Sequence, residues 1–255
     1  MCKEDRVRNS SFLKCVLVTL VVLVLGSCNR EIHVGPQSSQ AGLRTTFFDV
    51  GQADAALLKT PEATVVIDTG HNGQTAQLLR QEGVTHIDLL ILSHAHADHI
   101  GGLAAIAKRF PIAELWYAGR YRGRAGAIVR TIPGAVPVTA GKVKTLGRLT
   151  LEVLHPEAED GPERNAPTDV NDGSVVVKAI YGESRFLYPG DCELGCWEQV
   201  FRAHRSELRA DVLKAAHHGS SNGTSSGVLI NVRPQEVIIS CGRNNEYGGR
   251  VKSRV

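Results

Sequence analysis

Short apolar runs alternate with turn residues and amphipathic stretches along most of this chain of 255 residues. Runs of about four to eight apolar or β-branched residues indicate strands, whereas apolar residues spaced three and four apart indicate helices. An early meander of strands followed by strand-helix alternation predicts an α/β fold, with two sheets packed face to face and helices outside. Strands are predicted at residues 45–50, 55–58, 64–68, 87–92, 114–117, 149–154, 174–180, 185–187, 211–215 and 236–240, and helices at 74–81, 100–110, 193–204 and 225–231.

The first 28 residues have a different pattern from the rest of the chain. Four Lys and Arg residues precede an apolar run at residues 15–25, which is too short to span a bilayer comfortably as a helix. This pattern is typical of an export signal, and a short anchor that is never cleaved is the alternative. The run ends in Leu25-Gly26-Ser27-Cys28, which resembles the bacterial lipobox and implies lipidation of Cys28.

These features predict a chain of three parts. Residues 1–28 form a lipoprotein signal peptide, residues 29–42 a Gly-, Pro- and Ser-containing linker, and residues 43–255 one globular domain. The predicted location is the bacterial cell envelope, on the periplasmic or outer surface, with the membrane reached through a lipid on Cys28. No protein partner is inferable from the sequence.

Composition and charge narrow the classes of partner. The chain is 42% hydrophobic and 22% charged with a net charge of +3, which is ordinary for a globular domain. Nucleic-acid contact would therefore need a local patch, because the overall charge gives no attraction for a polyanion. A candidate phosphate-binding rim, with a solvated surface as the alternative, consists of Lys108, Arg109, Arg120, Arg122, Arg124 and Arg130.

Three cysteines follow the predicted lipidation site, which is not the even number of a disulfide framework. Cys192 and Cys196 lie four residues apart on a predicted helix. They can pair in an oxidising compartment, but buried free thiols are the preferred interpretation for them, as for Cys241.

The main chemical signal is the segment His94-Ala95-His96-Ala97-Asp98-His99, directly after the predicted strand at 87–92. Ionisable clusters seldom follow a core strand without a function. His94 and His96 can bind one divalent ion, and Asp98 and His99 a second. Mixed His and Asp ligands suit Zn²⁺, Mn²⁺ or iron.

Other predicted strands also end in residues of the ligand type. Asp68 closes one strand. Its carboxylate can brace the segment of residues 94–99, here called the histidine loop, as an outer partner of a metal ligand. Asp191 follows another and can place one oxygen on each of two ions. His155 and Asn171 are competing candidates for a third ligand motif, and the sequence does not decide between them.

The strand at 211–215 is followed by a pair of histidines and a serine. His217 is predicted to complete the second metal site, and His218 to face the substrate and protonate the leaving oxygen. Ser220 is expected near the substrate. Asp98, Asp191 and His218 are the predicted catalytic residues.

The order of these residues resembles the metallo-β-lactamase superfamily, whose fold is an αββα sandwich with a dinuclear site at one sheet edge. Five segments resemble more narrowly the hydrolase domain of ComEC-type DNA-uptake proteins. That subfamily usually continues Tyr-Gly-His-Pro and then adds a helix and final strands. Here Tyr247-Gly248 is followed by Gly249 and Arg250 and the sequence stops at Val255, so C-terminal elements are expected to be missing. The five segments are 48–54, 171–174, 188–191, 217–220 and 240–248.

The resemblance implies a metal-dependent phosphodiesterase or nuclease with two divalent ions, Zn²⁺ first and Mn²⁺ as an alternative. A phosphodiester, with DNA as the implied example, is the expected substrate. Two alternatives remain open: a hydrolase of a lactone or of a small or cell-wall phosphoester such as phosphorylcholine, and a non-catalytic envelope module that binds nucleic acid.

Overall fold

Two seven-stranded sheets form the centre of the molecule. The computed structural model describes residues 21–24, 30–34, 42–118, 121, 123–157 and 170–242. The N-terminal sheet has its strands in chain order: β2 (Arg30–Val34), β3 (Leu43–Phe47), β4 (Ala56–Lys59), β5 (Thr64–Ile67), β6 (Leu89–Leu92), β7 (Leu115–Tyr117) and β8 (Ala135–Pro137). The first four of these pair antiparallel, and β5 to β8 pair parallel.

The C-terminal sheet combines a parallel and an antiparallel part. Its strands lie in the order β1 (Val21–Val24), β14 (Glu236–Ile239), β13 (Val212–Lys214), β12 (Ser184–Tyr188), β11 (Val176–Tyr181), β10 (Leu149–His155) and β9 (Val143–Leu146). The first four strands in this order pair parallel, and the rest antiparallel.

Six α-helices accompany the sheets within the described ranges: α1 (Gln74–Gln81), α2 (Ala97–Ile100), α3 (Leu103–Arg109), α4 (Gly123–Val129), α5 (Leu194–His204) and α6 (Ser226–Val232). Leu79 and Ile106 pack α1 and α3 on the outer face of the N-terminal sheet. Trp197 and Val228 pack α5 and α6 on the outer face of the C-terminal sheet.

Both sheets are covered on two sides, so their central strands are apolar throughout. In β6, Leu89 and Ile91 face the core between the sheets, while Leu90 and Leu92 face the outer helices. A continuous apolar strand is what burial on both faces requires. The predicted αββα sandwich is therefore confirmed.

The structure differs from the predicted organisation near the N-terminus. Arg30–Val34, assigned to the linker, pairs with β3 as an antiparallel strand. Val21–Val24, inside the predicted signal peptide, pairs with β14. Cys28 and residues 243–255 lie outside the described residues, so lipidation and the nature of the C-terminus stay predictions. No helix among the described residues is long and apolar enough to cross a membrane.

Cys192 and Cys196 are joined by a disulfide, which corrects the interpretation of both as free thiols. Cys192 stands just before α5 and Cys196 in its first turn, which brings their Cα atoms to 5.3 Å. That separation is within the usual range for a bridge. Cys241 is a free cysteine.

Candidate metal centre

The polar residues after four strands meet at one edge of the sandwich. Asp68 follows β5 and the histidine loop follows β6, which pairs parallel with it. Asp191 follows β12 and the paired histidines follow β13, which are also parallel neighbours. Parallel neighbours present their carboxyl ends at the same edge, so both sheets contribute ligand-type side chains to one place.

One group of possible metal donors comes from three separate segments. Donor atoms of Asp98, His99, Asp191 and His218 all lie within 4.8 Å of one another. His99 and His218 are buried, and Asp98 is partly buried. Four N and O donors at this spacing can surround one divalent cation.

A second group shares a residue with the first. Donor atoms of His94, His96 and Asp191 also lie within 4.8 Å of one another. Asp191 Oδ1 is 3.2 Å from His99 Nε2, and Asp191 Oδ2 is 3.7 Å from His94 Nε2. Asp191 Oδ2 is also 3.8 Å from His218 Nε2, so the carboxylate stands between the two groups, as the bridging residue of a two-metal site does.

Two buried atoms indicate that these residues fit a cation. Among the described side chains, His99 Nε2 and Asp191 Oδ1 are buried, lie 3.2 Å from each other, and make no well-aligned hydrogen bond. Burying such atoms costs free energy unless another partner satisfies them. A divalent ion of the zinc or manganese type accepts both kinds of ligand.

Outer contacts fix the orientation of the two deep imidazoles. His99 Nδ1 lies 2.8 Å from Asp68 Oδ2, and Asp68 accepts hydrogen bonds from the backbone N–H and hydroxyl of Ser93. His218 Nδ1 lies 3.0 Å from the carbonyl oxygen of Ser240. The Nδ1–H of each ring therefore has a hydrogen-bond acceptor. This leaves the Nε2 atoms of His99 and His218 to face the other possible metal ligands. Asp68 makes the bracing contact that the sequence predicted.

The two carboxylates of the first group stay ionised. Burial alone would raise the pKa of Asp98, but the hydrogen bond from His218 and the charge of His99 bring it down to about 2. Burial also opposes ionisation of Asp191, yet the neighbouring charge of His99 lowers its pKa. In the metal-free protein the protonated forms of His99 and His218 balance this negative charge, and a bound divalent cation would take their place.

The pKa values of the three buried imidazoles shift in different directions. Burial disfavours a charged His99, but the charge of Asp191 holds its pKa well above the ordinary value. Burial also disfavours a charged His218, but Asp54, Asp98 and Asp191 together outweigh burial and raise its pKa. Burial and the charge of His99 put the pKa of His94 well below the ordinary value. Because metal ligation requires deprotonated nitrogens, a bound cation would replace the protons on His99 and His218.

The sequence predicted His217 as a metal ligand and His218 as the residue that faces the substrate. His218, not His217, belongs to the donor group with Asp98 and Asp191. His217 keeps a side-chain exposure of 30%, and its Nδ1 lies 2.8 Å from Glu193 Oε1. Its Nε2 is 3.9 Å from Asp191 Oδ2, so it stands beside the donor groups without joining them.

Of the two candidates for the third ligand motif, His155 is absent from the donor groups found among the described residues. His155 is fully buried, with Nδ1 2.7 Å from the carbonyl oxygen of Ser174 and Nε2 3.2 Å from Gln199 Oε1. Asn171 donates through Nδ2 to Glu193 Oε1 over 2.8 Å. These contacts do not support His155 as a ligand. Asn171 is linked to His217 through Glu193, because Glu193 contacts both residues.

Ser220 lies in the turn after the paired histidines. Its hydroxyl interacts with Asn222 and accepts a hydrogen bond from the backbone N–H of Gly223. These contacts give Ser220 a local role in the turn, and its predicted role near substrate stays a prediction.

Sequence reasoning missed a buried ion pair behind the centre. Lys214 Nζ lies 2.7 Å from Asp54 Oδ2 and 3.0 Å from the carbonyl oxygen of Ala215, and both charged side chains are buried. Asp54 Oδ1 is 3.6 Å from His218 Nδ1. The available signal was a lysine between the apolar residues Leu213 and Ala215 of a predicted strand.

The comparisons with known proteins agree with this geometry. The chain is 34% identical over 220 residues to Recombination protein 2 of Haemophilus influenzae, which covers 83% of this chain and 26% of that protein. It is 28% identical over 227 residues to ComE operon protein 3 of Bacillus subtilis, which covers 78% of this chain and 28% of that protein. The aligned region thus spans about a quarter of these relatives.

Solved structures have the same fold. The metallo-beta-lactamase fold protein YhfI from Bacillus subtilis superposes with a TM-score of 0.50 and 14% identity, over 80% of this chain and 89% of that one. The sequence profile of the Metallo-beta-lactamase superfamily matches residues 48–243. Proteins of this superfamily are generally metal-dependent hydrolases, and this chain has the fold and candidate ligands of one. The chain belongs to the metallo-β-lactamase superfamily.

Proposed function

We propose that this protein is a dinuclear metal-dependent phosphodiesterase of the ComEC-like type, with nucleic acid as its substrate. The observation that carries the proposal is the sharing of Asp191 between two groups of donors. A pair of ions held by one carboxylate suits displacement at phosphorus, because both the attacking and the leaving oxygen need stabilisation. The similarity to a recombination protein and to a ComE operon protein supports a nucleic-acid substrate.

The donor groups define how the chain would hold two ions. His94, His96 and Asp191 would hold one, and Asp98, His99, Asp191 and His218 the other. When bound, divalent ions supply Lewis acidity, which lowers the pKa of water and offsets charge on phosphate oxygens. The protein's part is to keep these side chains oriented and largely out of water.

His217 is the residue we assign to proton transfer. Glu193 lies 2.8 Å from Nδ1 and orients the ring, while Nε2 stays beside Asp191 on the more exposed side. In this arrangement Nε2–H would donate a proton to the leaving oxygen. His218 cannot fill this role while its Nε2 faces Asp98 at 3.1 Å.

Attachment to the cell envelope is a further part of the proposal. The predicted lipobox ending at Cys28 supports a lipid anchor. The Cys192–Cys196 disulfide supports export, because disulfides persist mainly in oxidising compartments. Exchange of Cys28 for Ser should abolish incorporation of labelled fatty acid and release the protein from the membrane fraction. Retention of label in that variant would contradict the anchor.

Hydrolysis of linear DNA and of bis(p-nitrophenyl) phosphate by the full chain with Zn²⁺ or Mn²⁺ tests the activity. His96→Ala should lose activity on both substrates, whereas the matched control His86→Ala, an exposed histidine outside the donor groups, should retain it. Hydrolysis of a choline ester or lactone with neither diester cleaved would favour the small-substrate alternative. DNA binding without metal or turnover would favour the non-catalytic module.

A further inference from the structure

A cleft of about 520 Å³ lies directly beside the histidine loop. One wall comes from α2 and α3 and the other from α4. Its lining includes the small side chains of Ala95, Ala97, Ala104 and Ala125. Ala95 and Ala97 flank His96 in sequence, so one end of the cleft is formed by the same segment that carries four of the donor residues, although the donor residues themselves do not line it.

The only charged groups among the described lining residues are two cations. Lys108 stands on α3 and Arg124 on α4, both exposed. Both belong to the basic patch identified in the sequence, and the fold places them at the cleft. Phosphate groups are the natural partners of such a pair, since Arg and Lys supply most of the contacts to nucleic-acid backbones.

The size and chemistry of the cleft limit its occupant. A volume of this order holds a small molecule or one nucleotide unit, within the roughly 300–1,000 Å³ of ligand sites. The cleft is too small for a duplex. Its alanine lining offers apolar contact but few side-chain donors or acceptors for a base edge, which is where sequence is read.

We propose that this cleft binds the nucleotide adjacent to the scissile phosphate of a single-stranded nucleic acid, with Lys108 and Arg124 on the flanking phosphate. The sugar and base lie on the alanine surface of α2, α3 and α4. Binding is tolerant of sequence, because the contacts are to backbone charge and to apolar surface. This inference rests on the proposed phosphodiesterase function. It adds that the substrate is single-stranded and that it runs through the cleft.

The test compares two double variants of the full chain that remove equal charge. Lys108→Gln/Arg124→Gln alters the cleft. Arg80→Gln/Arg202→Gln removes two exposed cations that neither line the cleft nor belong to the basic patch. KM and kcat are measured with a single-stranded oligonucleotide and with bis(p-nitrophenyl) phosphate, and oligonucleotide binding is measured by fluorescence anisotropy in EDTA over a range of salt.

The cleft double variant should raise the KM for the oligonucleotide about tenfold more than the KM for the small diester. Its salt dependence of binding should also weaken, by about 0.7 in log–log slope for each phosphate that is no longer neutralised. The control double variant should change neither quantity. A third variant, Ala104→Phe, fills the cleft without changing charge and should weaken oligonucleotide binding as well.

Equal oligonucleotide KM and binding in the two double variants would overturn the cleft assignment even if diesters are hydrolysed. If neither the oligonucleotide nor bis(p-nitrophenyl) phosphate is hydrolysed, the proposed function fails. The anisotropy measurements, which need no turnover, then still test whether the cleft binds the oligonucleotide. Preferential binding of duplex over single-stranded oligonucleotide would also overturn the inference.

Discussion

His217 and His218 are adjacent and chemically identical, yet they have different surroundings. Both adopt left-handed backbone angles, with φ of 47° and 52°. This turn directs His218 towards Asp98 and leaves His217 beside Glu193. Sequence could locate the pair but not assign the two rings, because their orientation depends on partners distant in the chain.

Replacing each histidine by alanine should give opposite results for metal content. His218→Ala should lose metal, since it removes a donor of the four-residue group. His217→Ala should keep metal but lower kcat about 10²–10⁴-fold on DNA, as loss of a general acid does. Metal analysis and turnover of both variants check this.

The choice of leaving group provides the control for the proton-transfer role of His217. Nitrophenolate leaves as a stable anion, so His217→Ala should impair bis(p-nitrophenyl) phosphate much less than DNA. An equal loss on both substrates would contradict the role of His217 as a proton donor. Full metal content in His218→Ala would contradict its role as a ligand.

Metal affinity should fall as the pH falls. The pKa values of His99 and His218 are raised, so in the metal-free protein these rings tend to hold protons near neutrality. A cation must displace those protons, and each one displaced costs up to about tenfold in affinity per pH unit below the raised pKa. Competition with a chromophoric chelator between about pH 6 and 8 measures this. Equal affinity across that range would contradict the expected proton release.

The buried pair of Asp54 and Lys214 should be strongly coupled. Lys214→Met leaves a carboxylate buried without its cation and should cost about 3–5 kcal/mol in the free energy of unfolding. The double variant Asp54→Asn/Lys214→Met should recover much of that loss. Lys144→Met, which breaks a partly exposed pair with Glu114, is the control and should cost about 1 kcal/mol or less. Urea unfolding of the metal-free variants measures these losses in the free energy of unfolding. A loss in Lys214→Met as small as that in Lys144→Met would contradict the strong coupling.

At the scale of elements, sequence periodicity predicted the central strands well and the peripheral elements poorly. The strong apolar run of β6 and the amphipathic pattern of α1 predicted elements close to those observed. The helix α4 was missed because Gly123 and Gly126 lower helix propensity. Gly126 is needed for packing, since a Cβ there would lie 2.1 Å from the carbonyl oxygen of Tyr121.

Edge strands were missed for a different reason. Along β9, burial alternates only between exposed and intermediate, so its sequence carries no apolar run. Its identity as a strand comes from pairing with β10, and that of β2 from pairing with β3. Such partners are set by tertiary structure, which a local pattern does not contain.

The turn between β12 and α5 positions Asp191 through a glycine. Gly190 has φ of +57°, and a Cβ there would lie 2.6 Å from the Cβ of Ser93. Gly190→Ala should therefore displace Asp191 from both donor groups and reduce metal binding as well as stability. Gly123→Ala is a matched control, because Gly123 has the same φ but open space around it. Calorimetric metal titration compares them, and equal affinity in the two variants would contradict the steric argument.

At the scale of the whole molecule, the centre joins the two sheets. His94, His96, Asp98 and His99 belong to the loop after a strand of the N-terminal sheet. Asp191 and His218 follow strands of the C-terminal sheet, and the largest core cluster lies between the sheets. The sandwich therefore brings together donors that no local segment contains, which is why the donors could be identified from sequence more readily than their grouping.

Metal bound across this junction should stabilise the fold as one unit. A ligand that binds only the folded state adds about 4 kcal/mol at a free concentration roughly 1,000 times its Kd, and here the contacts would bridge both sheets. Addition of Zn²⁺ or Mn²⁺ to the metal-free full chain should therefore raise the melting temperature and keep a single transition, and EDTA should reverse the gain. Asp191→Asn, which removes the shared carboxylate, should lose most of this response, whereas His86→Ala should keep it. A metal-induced rise that is equal in Asp191→Asn and His86→Ala would place the stabilising ion elsewhere and would separate the donor groups from the stability of the sandwich.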